Sequence, residues 1–560
     1  MNFAGRTSSV RITVVITSVF TVAIAASAIG KSSSIPHFQT TGAATQLIVD
    51  GKPFLILGGE LGNSTASSEE SLQSVWPTLE ALHLNTVLAP VYWEQLEPTE
   101  GKFDYTLVDS PIDQARAHHF KLVLLWFGVW KNSMSTYVPA WVKQDEKRFP
   151  RAEDQEGNRL DILSPFSQVT LETDETAFAS LMRHLREKDS SRHTVLMVQA
   201  ENEIGMLPKA CDYSDLAKSA MNDAVPSQLL DQIKTSNPVD SAAAALWRQH
   251  GSPTSGNWTE VFGSDDAGAE VFMAWHYAQF IEALVKAGKA EYPLPMYVNV
   301  ALNFPGKKPG QYPAGGAVPH LLDVWRAGAR DLDAISPDVY FLDFGDWTAK
   351  YLAVGRPLFV PETMRTERAA ANALFLIGAQ NAIGFSPFAI ESVPDWPNEL
   401  LGQTYGLLGQ LMPEIAQAQS EGNIYGLLPH VRADGTVDFS SQTIHIGDYI
   451  LTVTFDGPSP AFPTTQPIAD PAMRGRGLPT SGGLLYVTGP GEYTVIGTGV
   501  KIRHSADTEK VGLLSVDEWT CRNGRWSHYR WLNGDQTNQG REVHLYPGDL
   551  KMQRVKLYQF

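Results

Sequence analysis

Residues 194–205 read TVLMVQAENEIG: an apolar run, then two glutamates, Glu201 and Glu203, on either side of Asn202. A short apolar run bounded by polar residues fits a strand buried on both faces. Just upstream, Phe178, Leu181, Met182 and Leu185 keep helical spacing behind Asp174, a candidate cap. The unit is helix, then buried strand, then carboxyl groups at the strand's C-terminal end. It recurs in both directions. Upstream lie FLIL at 54–57 ending in Gly58, Gly59 and Glu60, TVLA at 86–89 and LVLLW at 122–126. Downstream lie MYVNV at 296–300, AI at 334–335 with VY at 339–340, LFV at 358–360 and AIGF at 382–385. Leu72, Val75, Trp76, Leu79 and Leu82 predict a helix behind a Ser67–Glu70 capping box, and Trp275, Phe280, Leu284 and Val285 predict another. Eight strands alternating with helices predict an α/β fold, a (β/α)8 TIM barrel over residues 46–417. The stretch 206–262, after the fourth strand, reads as an insertion on the rim.

Beyond about residue 420 the period changes. YILTVTF at 449–455 and LLYV at 484–487 are strand-like, with turns such as GPG at 489–491 between them. Residues 420–560 are therefore expected to form a β-rich, sandwich-like C-terminal domain, with a Pro-rich disordered loop near 457–470. At the other end, Arg6 and Arg11 precede an uncharged stretch and the small residues Ala26-Ser27-Ala28. This reads as a signal peptide over 1–28, followed by a polar tether over 29–45. A retained membrane anchor is the rival reading of the same stretch. Cleavage leaves no stable membrane insertion and implies an exported protein, periplasmic or extracellular.

A formal charge of −17 disfavours nucleic acid and anionic membranes as partners and suits a neutral carbohydrate. Two cysteines, Cys211 and Cys521, make neither a disulfide scaffold nor a cysteine metal site. No His-x-x-x-His pair with a Glu suggests zinc, and no phosphate loop follows Gly58-Gly59. No metal and no organic cofactor is expected. The oligomeric state is left open.

Barrel chemistry sits at the C-terminal ends of strands. Two carboxyls meet that condition in suitable company: Glu203, and Glu362 in RPLFVPET at 356–363. A pair about 5–5.5 Å apart, one group protonated and one ionised, is what retaining hydrolysis of a β-glycoside requires. Asn202 is placed to reach the sugar 2-hydroxyl. Tyr340 is placed to hydrogen-bond Glu362, and Glu60 to line the pocket. Trp93, Trp126 and Trp130 could stack on sugar faces or fill core. Glu201 reads either as a partner behind the site or as a solvated surface residue. Glu97 reads as pocket lining or as a loop former.

The motifs also carry a resemblance. LGGE at 57–60, LNT at 84–86, WEQLEP at 93–98, GKFD at 101–104, QAENEIG at 199–205 and FVPE at 359–362 resemble the clan A retaining glycosidases. More closely, they resemble glycoside hydrolase family 35, the β-galactosidases. That resemblance implies Glu203 as acid/base, Glu362 as nucleophile and β-galactoside hydrolysis. Two places depart from the pattern. WFGVWKN at 126–132 stands where a carboxylate after strand three is expected, and FSPF at 385–388 ends strand eight. These departures suggest a divergent subgroup, one trimming plant-polysaccharide side chains. The alternatives are the same mechanism on an arabinopyranoside, glucoside or mannoside, or a non-catalytic carbohydrate-binding protein.

Overall fold

A computed structural model describes residue 1 and residues 34–352, 357–392, 399–457, 478–522 and 525–560. The expected signal peptide and most of the Pro-rich loop lie outside the described residues. The fold is built on a ring of parallel strands whose side chains are almost all buried. In ring order they are Ile56–Glu60, Thr86–Tyr92, Lys121–Phe127, Val195–Ala200, Met296–Ala301, Ala334–Val339, then Glu362–Thr363 and Phe359–Val360, and finally Gly384–Phe385, which returns to the first. The seventh stave is one strand in two pieces. Pro361 has no N–H to give the ladder, so Phe359–Val360 pairs with the eighth strand and Glu362–Thr363 with the sixth. The expected TIM barrel is thus present.

Alternation along each strand decides what fills the ring. Val123, Leu125 and Phe127 join Ile56, Leu88, Met197, Tyr297 and Phe359 in an inner cluster. Leu122, Leu124 and Trp126 belong to the outer core, packed against helices. The long helices Gln168–Asp189 and Asp266–Glu291 lie side by side on the outside. The floor of the barrel is closed by a three-stranded sheet, His37–Thr41, Ala44–Val49 and Lys52–Phe54, whose Leu47 and Val49 enter the inner cluster. This corrects the polar tether: the segment from residue 37 onward is strand, because LIV at 47–49 seals the apolar end of the ring.

Two helix starts also differ from expectation. Ser68, not Ser67, caps Glu69–Gln73 through the N–H of Ser71. Ser167 caps Gln168–Asp189, so Asp174 is no cap but a buried residue of that helix. The insertion after strand four forms helices Asp215–Met221, Ser227–Thr235, Ala242–Gln249 and Trp258–Phe262.

The C-terminal part is antiparallel. One sheet has six strands between Ile424 and Gln559, and a second has four between Gln442 and Leu545. Leu451, Val453, Leu485, Val495, Ile502, Val543 and Val555 are packed between them. Ser34–Phe560 is one compact unit. Arg368 helps join the barrel to the sheets: its buried guanidinium donates to the carbonyls of Pro429 at 2.9 Å and Pro479 at 3.1 Å. Cys211 is buried and unbonded to sulfur. Among the described residues no helix is long and apolar enough to cross a membrane.

Candidate active site

Four carboxyl groups from four staves meet inside the C-terminal mouth of the barrel. Glu60 ends strand one, Glu203 follows strand four, Asp338 lies near the end of strand six and Glu362 begins the second half of strand seven. Carboxylate oxygens of Glu203, Asp338 and Glu362 all lie within 4.8 Å of one another. Glu60 hydrogen-bonds Glu362. The two glutamates picked from sequence, separated by most of a barrel in the chain, are therefore neighbours in space.

Each is held. Glu203 takes a left-handed backbone, φ 46°, as does Glu201, φ 61°. Such a conformation costs a side-chain-bearing residue of order 1–3 kcal/mol and persists only where the surroundings impose it. Here the Glu203 N–H donates to Asn299 Oδ1 at 2.9 Å, and Ser133 donates its hydroxyl to the Glu203 carbonyl at 2.8 Å. The Asn132 side-chain amide donates to Glu203 Oε2. Asn299 turns its own Nδ2 to Asp338 Oδ2 at 2.7 Å. On the other side the Tyr340 hydroxyl donates to Glu362 Oε1 at 2.5 Å. The expected role of Tyr340 matches this geometry.

Some buried polar atoms here meet no hydrogen-bond partner in the protein: Glu60 Oε1, Asn202 Nδ2, Asp338 Oδ1 and Glu362 Oε2. These atoms sit together in the mouth, where water or a polar ligand would satisfy them. Asn202 shows the division of labour. Its Oδ1 accepts the Asn132 N–H at 3.3 Å, which leaves its Nδ2 to donate.

Electrostatics follow from the crowding. Two unit charges at the 4.8 Å limit repel by about 3 kcal/mol at an effective dielectric near 20. Burial first, and then the Glu203 charge, push Glu362 up to about 7. Burial and the neighbouring carboxylates also push Glu60 and Asp338 well up. The opposing charge is the ammonium of Lys131, buried after strand three and acting on Glu60, Asp338 and Glu362. Glu203, Asp338 and Glu362 are also the oxygens a cation would use.

Glu362 keeps its proton in the folded state up to about 7, whereas in the unfolded chain it releases it near 4.5. The folded state thus binds more protons across that window, and stability falls as pH rises through it. The difference amounts to roughly 3 kcal/mol for this one group. Glu362→Gln should therefore raise Tm at pH about 8 relative to wild type, with the gap closing near pH 5. A Tm gap independent of pH would contradict it.

Three expected site residues are not in the site. Trp93, Trp126 and Trp130 have no exposed surface. Their N–H groups are used inside the protein, by Glu97 Oε2, Asp174 Oδ1 and the Leu163 carbonyl respectively. They pack behind strands two to four and cannot stack on a sugar. Aromatic surface beyond the strand ends comes instead from Phe304, set edge-on to Phe341. Glu97 is buried and shapes its loop, accepting the Gly101 N–H at 2.7 Å. Sequence reasoning missed Asn299, Asp338 and the Lys131–Asn132 pair as site residues. The signal was a polar side chain interrupting an apolar strand, at 299 and 338.

Comparison with known proteins bears on part of this. Residues 64–267 match the family 42 glycoside hydrolase model, described as a β-galactosidase. That stretch includes Glu203 and stops short of Asp338 and Glu362. It supports a clan A glycosidase, and the family model that matches is that of family 42, not of the family 35 that the motifs resemble. Residues 401–544 match a domain of unknown function. No curated protein matches the chain. Among solved structures, the β-galactosidase of Bacillus circulans sp. alkalophilus is 14% identical with a TM-score of 0.44, covering 65% of this chain and 57% of that one. The β-galactosidase of Rahnella sp. R3 is also 14% identical, TM-score 0.44, covering 68% and 58%. The catalytic domain of a Paenibacillus polymyxa β-amylase is 13% identical, TM-score 0.44, covering 63% and 97%. The chain thus spans less than two thirds of the length of the two β-galactosidases.

Proposed function

We propose that the protein is a retaining glycoside hydrolase that releases β-linked galactose by double displacement. The observation that carries the reading is the approach of Glu203 and Glu362 to within 4.8 Å, with Tyr340 holding one and Asn132 the other. That spacing suits direct attack. An inverting enzyme needs roughly 6.5–9.5 Å to leave room for a water. In the reactive state the proton sits on Glu203 and Glu362 is ionised: Glu362 attacks the anomeric carbon while Glu203 protonates the leaving oxygen. Glu203 then takes the proton of the incoming water, and the glycosyl ester breaks with retention. Forming the ester removes the Glu362 charge, which makes Glu203 more acidic and suits its second role. Asn202 Nδ2 is free to grip the 2-hydroxyl, and Glu60 Oε1 and Asp338 Oδ1 to accept ring hydroxyls.

One observation favours a second reading of the sugar. Lys131 stands after strand three where a carboxylate was expected, and its charge acts on Glu60, Asp338 and Glu362, so this side of the mouth offers a donor in place of an acceptor. A panel of nitrophenyl β-glycosides, with chelator present, decides between them. The expected result is chelator-insensitive turnover with galactoside as the best substrate. A preference for arabinopyranoside, glucoside or mannoside would reassign the sugar, and no turnover of any member would favour a non-catalytic carbohydrate-binding protein.

A further inference from the structure

Behind strand four lies a second pair of carboxyl groups that the mechanism does not use. Glu201 has no exposed surface, and both its oxygens accept backbone N–H groups: Oε1 from Val129 at 3.0 Å and Oε2 from Trp130 at 2.6 Å. Asp174, equally buried on helix Gln168–Asp189, accepts the Trp126 indole N–H on Oδ1 at 3.0 Å. Its Oδ2 meets no N–H or hydroxyl, and the two carboxyls hydrogen-bond each other. Two carboxylates cannot do so without a proton between them. The proton lies between Asp174 Oδ2 and the Glu201 carboxyl. Burial pushes both groups up, Asp174 to about 7, while the bond between them lowers Asp174 and raises Glu201.

The pair grips the loop that serves the active site. At Gly128 a Cβ would stand 2.4 Å from Glu201 Oε1 and 2.2 Å from Trp126 Nε1, so the loop closes over the pair only because residue 128 has no side chain. Immediately beyond come Lys131, Asn132 on Glu203 Oε2, and Ser133 on the Glu203 carbonyl.

We propose that Asp174 and Glu201 share one proton as a positioning pair, which clamps loop 128–133 and through Asn132 and Lys131 sets the geometry of Glu203 and its neighbours. The kinetic part of this rests on the hydrolase reading above; the shared proton does not. The pairing makes an asymmetric forecast. In Asp174→Asn, Nδ2 donates to Glu201 and Oδ1 still accepts from Trp126, so the clamp survives. In Glu201→Gln, one backbone N–H is left facing an NH2 group.

Infrared difference spectra of the full chain, wild type minus D174N, are expected to show a protonated-carboxyl band near neutral pH that disappears in alkali. Absence of that band overturns the shared proton whatever the enzyme cleaves. With nitrophenyl β-galactoside, E201Q and Asp174→Leu should each lose kcat by about 100-fold, the upper range for groups that orient catalytic residues. D174N should stay within about threefold of wild type. Asn132→Ala combined with E201Q should lose little more than the worse single variant, because both act through one contact. Equal losses in D174N and D174L, or additive losses in the double variant, overturn the clamp. Should E201Q not fold, the D174N–D174L comparison still decides. Should wild type cleave no glycoside, the function falls and the infrared band still tests the pair.

Discussion

Glu362→Ala is expected to lose about 10^5-fold in kcat, roughly 7 kcal/mol of barrier. Sodium azide should restore part of it by forming a glycosyl azide of inverted anomeric configuration. The loss is large because the carboxylate is the bond-forming atom, and nothing adjacent replaces it. Glu60 and Asp338 are the neighbouring carboxyls, but both are committed to ring hydroxyls and not to the anomeric carbon. The rescue follows from what the alanine leaves behind. Truncation opens space for a small anion beside Lys131, whose charge already acts on Glu362, and Glu203 remains in place to protonate the leaving group. Azide then attacks from the side the carboxylate used, and with no second displacement the product keeps that single inversion. Measured kcat near wild type, or an azide product of retained configuration, would remove Glu362 from the role of nucleophile.

How far the sequence carries to this site depends on which residues are local to a strand. Glu203 and Glu362 were legible because each ends an apolar run, where a barrel puts chemistry. Tyr340 was legible for the same reason. Trp126 was misplaced although its parity was readable: it alternates with Leu122 and Leu124, which face the helices, and not with Val123, Leu125 and Phe127, which face the axis. Asp174 looked like a helix start because an acid followed by apolar spacing is a cap signal, yet Ser167 supplies the cap. Its true partner, Glu201, comes from the end of strand four, a different element. Lys131 could not be given a role from its own neighbours, since the carboxyls it offsets come from strands one, six and seven. That is barrel register, set by closure of the ring. The floor sheet was missed for a similar reason: LIV at 47–49 is too short to announce a strand, and is buried only because the ring has an open apolar end.

The second large effect belongs to Glu203, and its form is more diagnostic than its size. Glu203→Ala should lose about 10^4-fold in kcat/KM on substrates with poor leaving groups, such as alkyl or sugar aglycones, roughly 5 kcal/mol. On aryl glycosides whose phenol is strongly acidic, the first step needs no proton and should persist. The second step still needs a base to activate water, so the glycosyl-enzyme accumulates. kcat and KM should then fall together, with a burst of phenol on mixing. Azide should speed turnover here too, but its product should retain the anomeric configuration, because it attacks the intermediate after Glu362 has already inverted the centre once. The two azide products have opposite configurations, so the pair of variants assigns both roles from product stereochemistry alone. Asn132 sharpens the assignment. It donates to Glu203 Oε2 and not to Glu362. Its removal should therefore weaken the leaving-group-dependent step more than hydrolysis of the activated aryl substrate. An equal loss of kcat/KM on both substrate types in the Glu203 variant would mean that this carboxyl transfers no proton to the leaving group, and that the acid must be sought at Asp338 or Glu60.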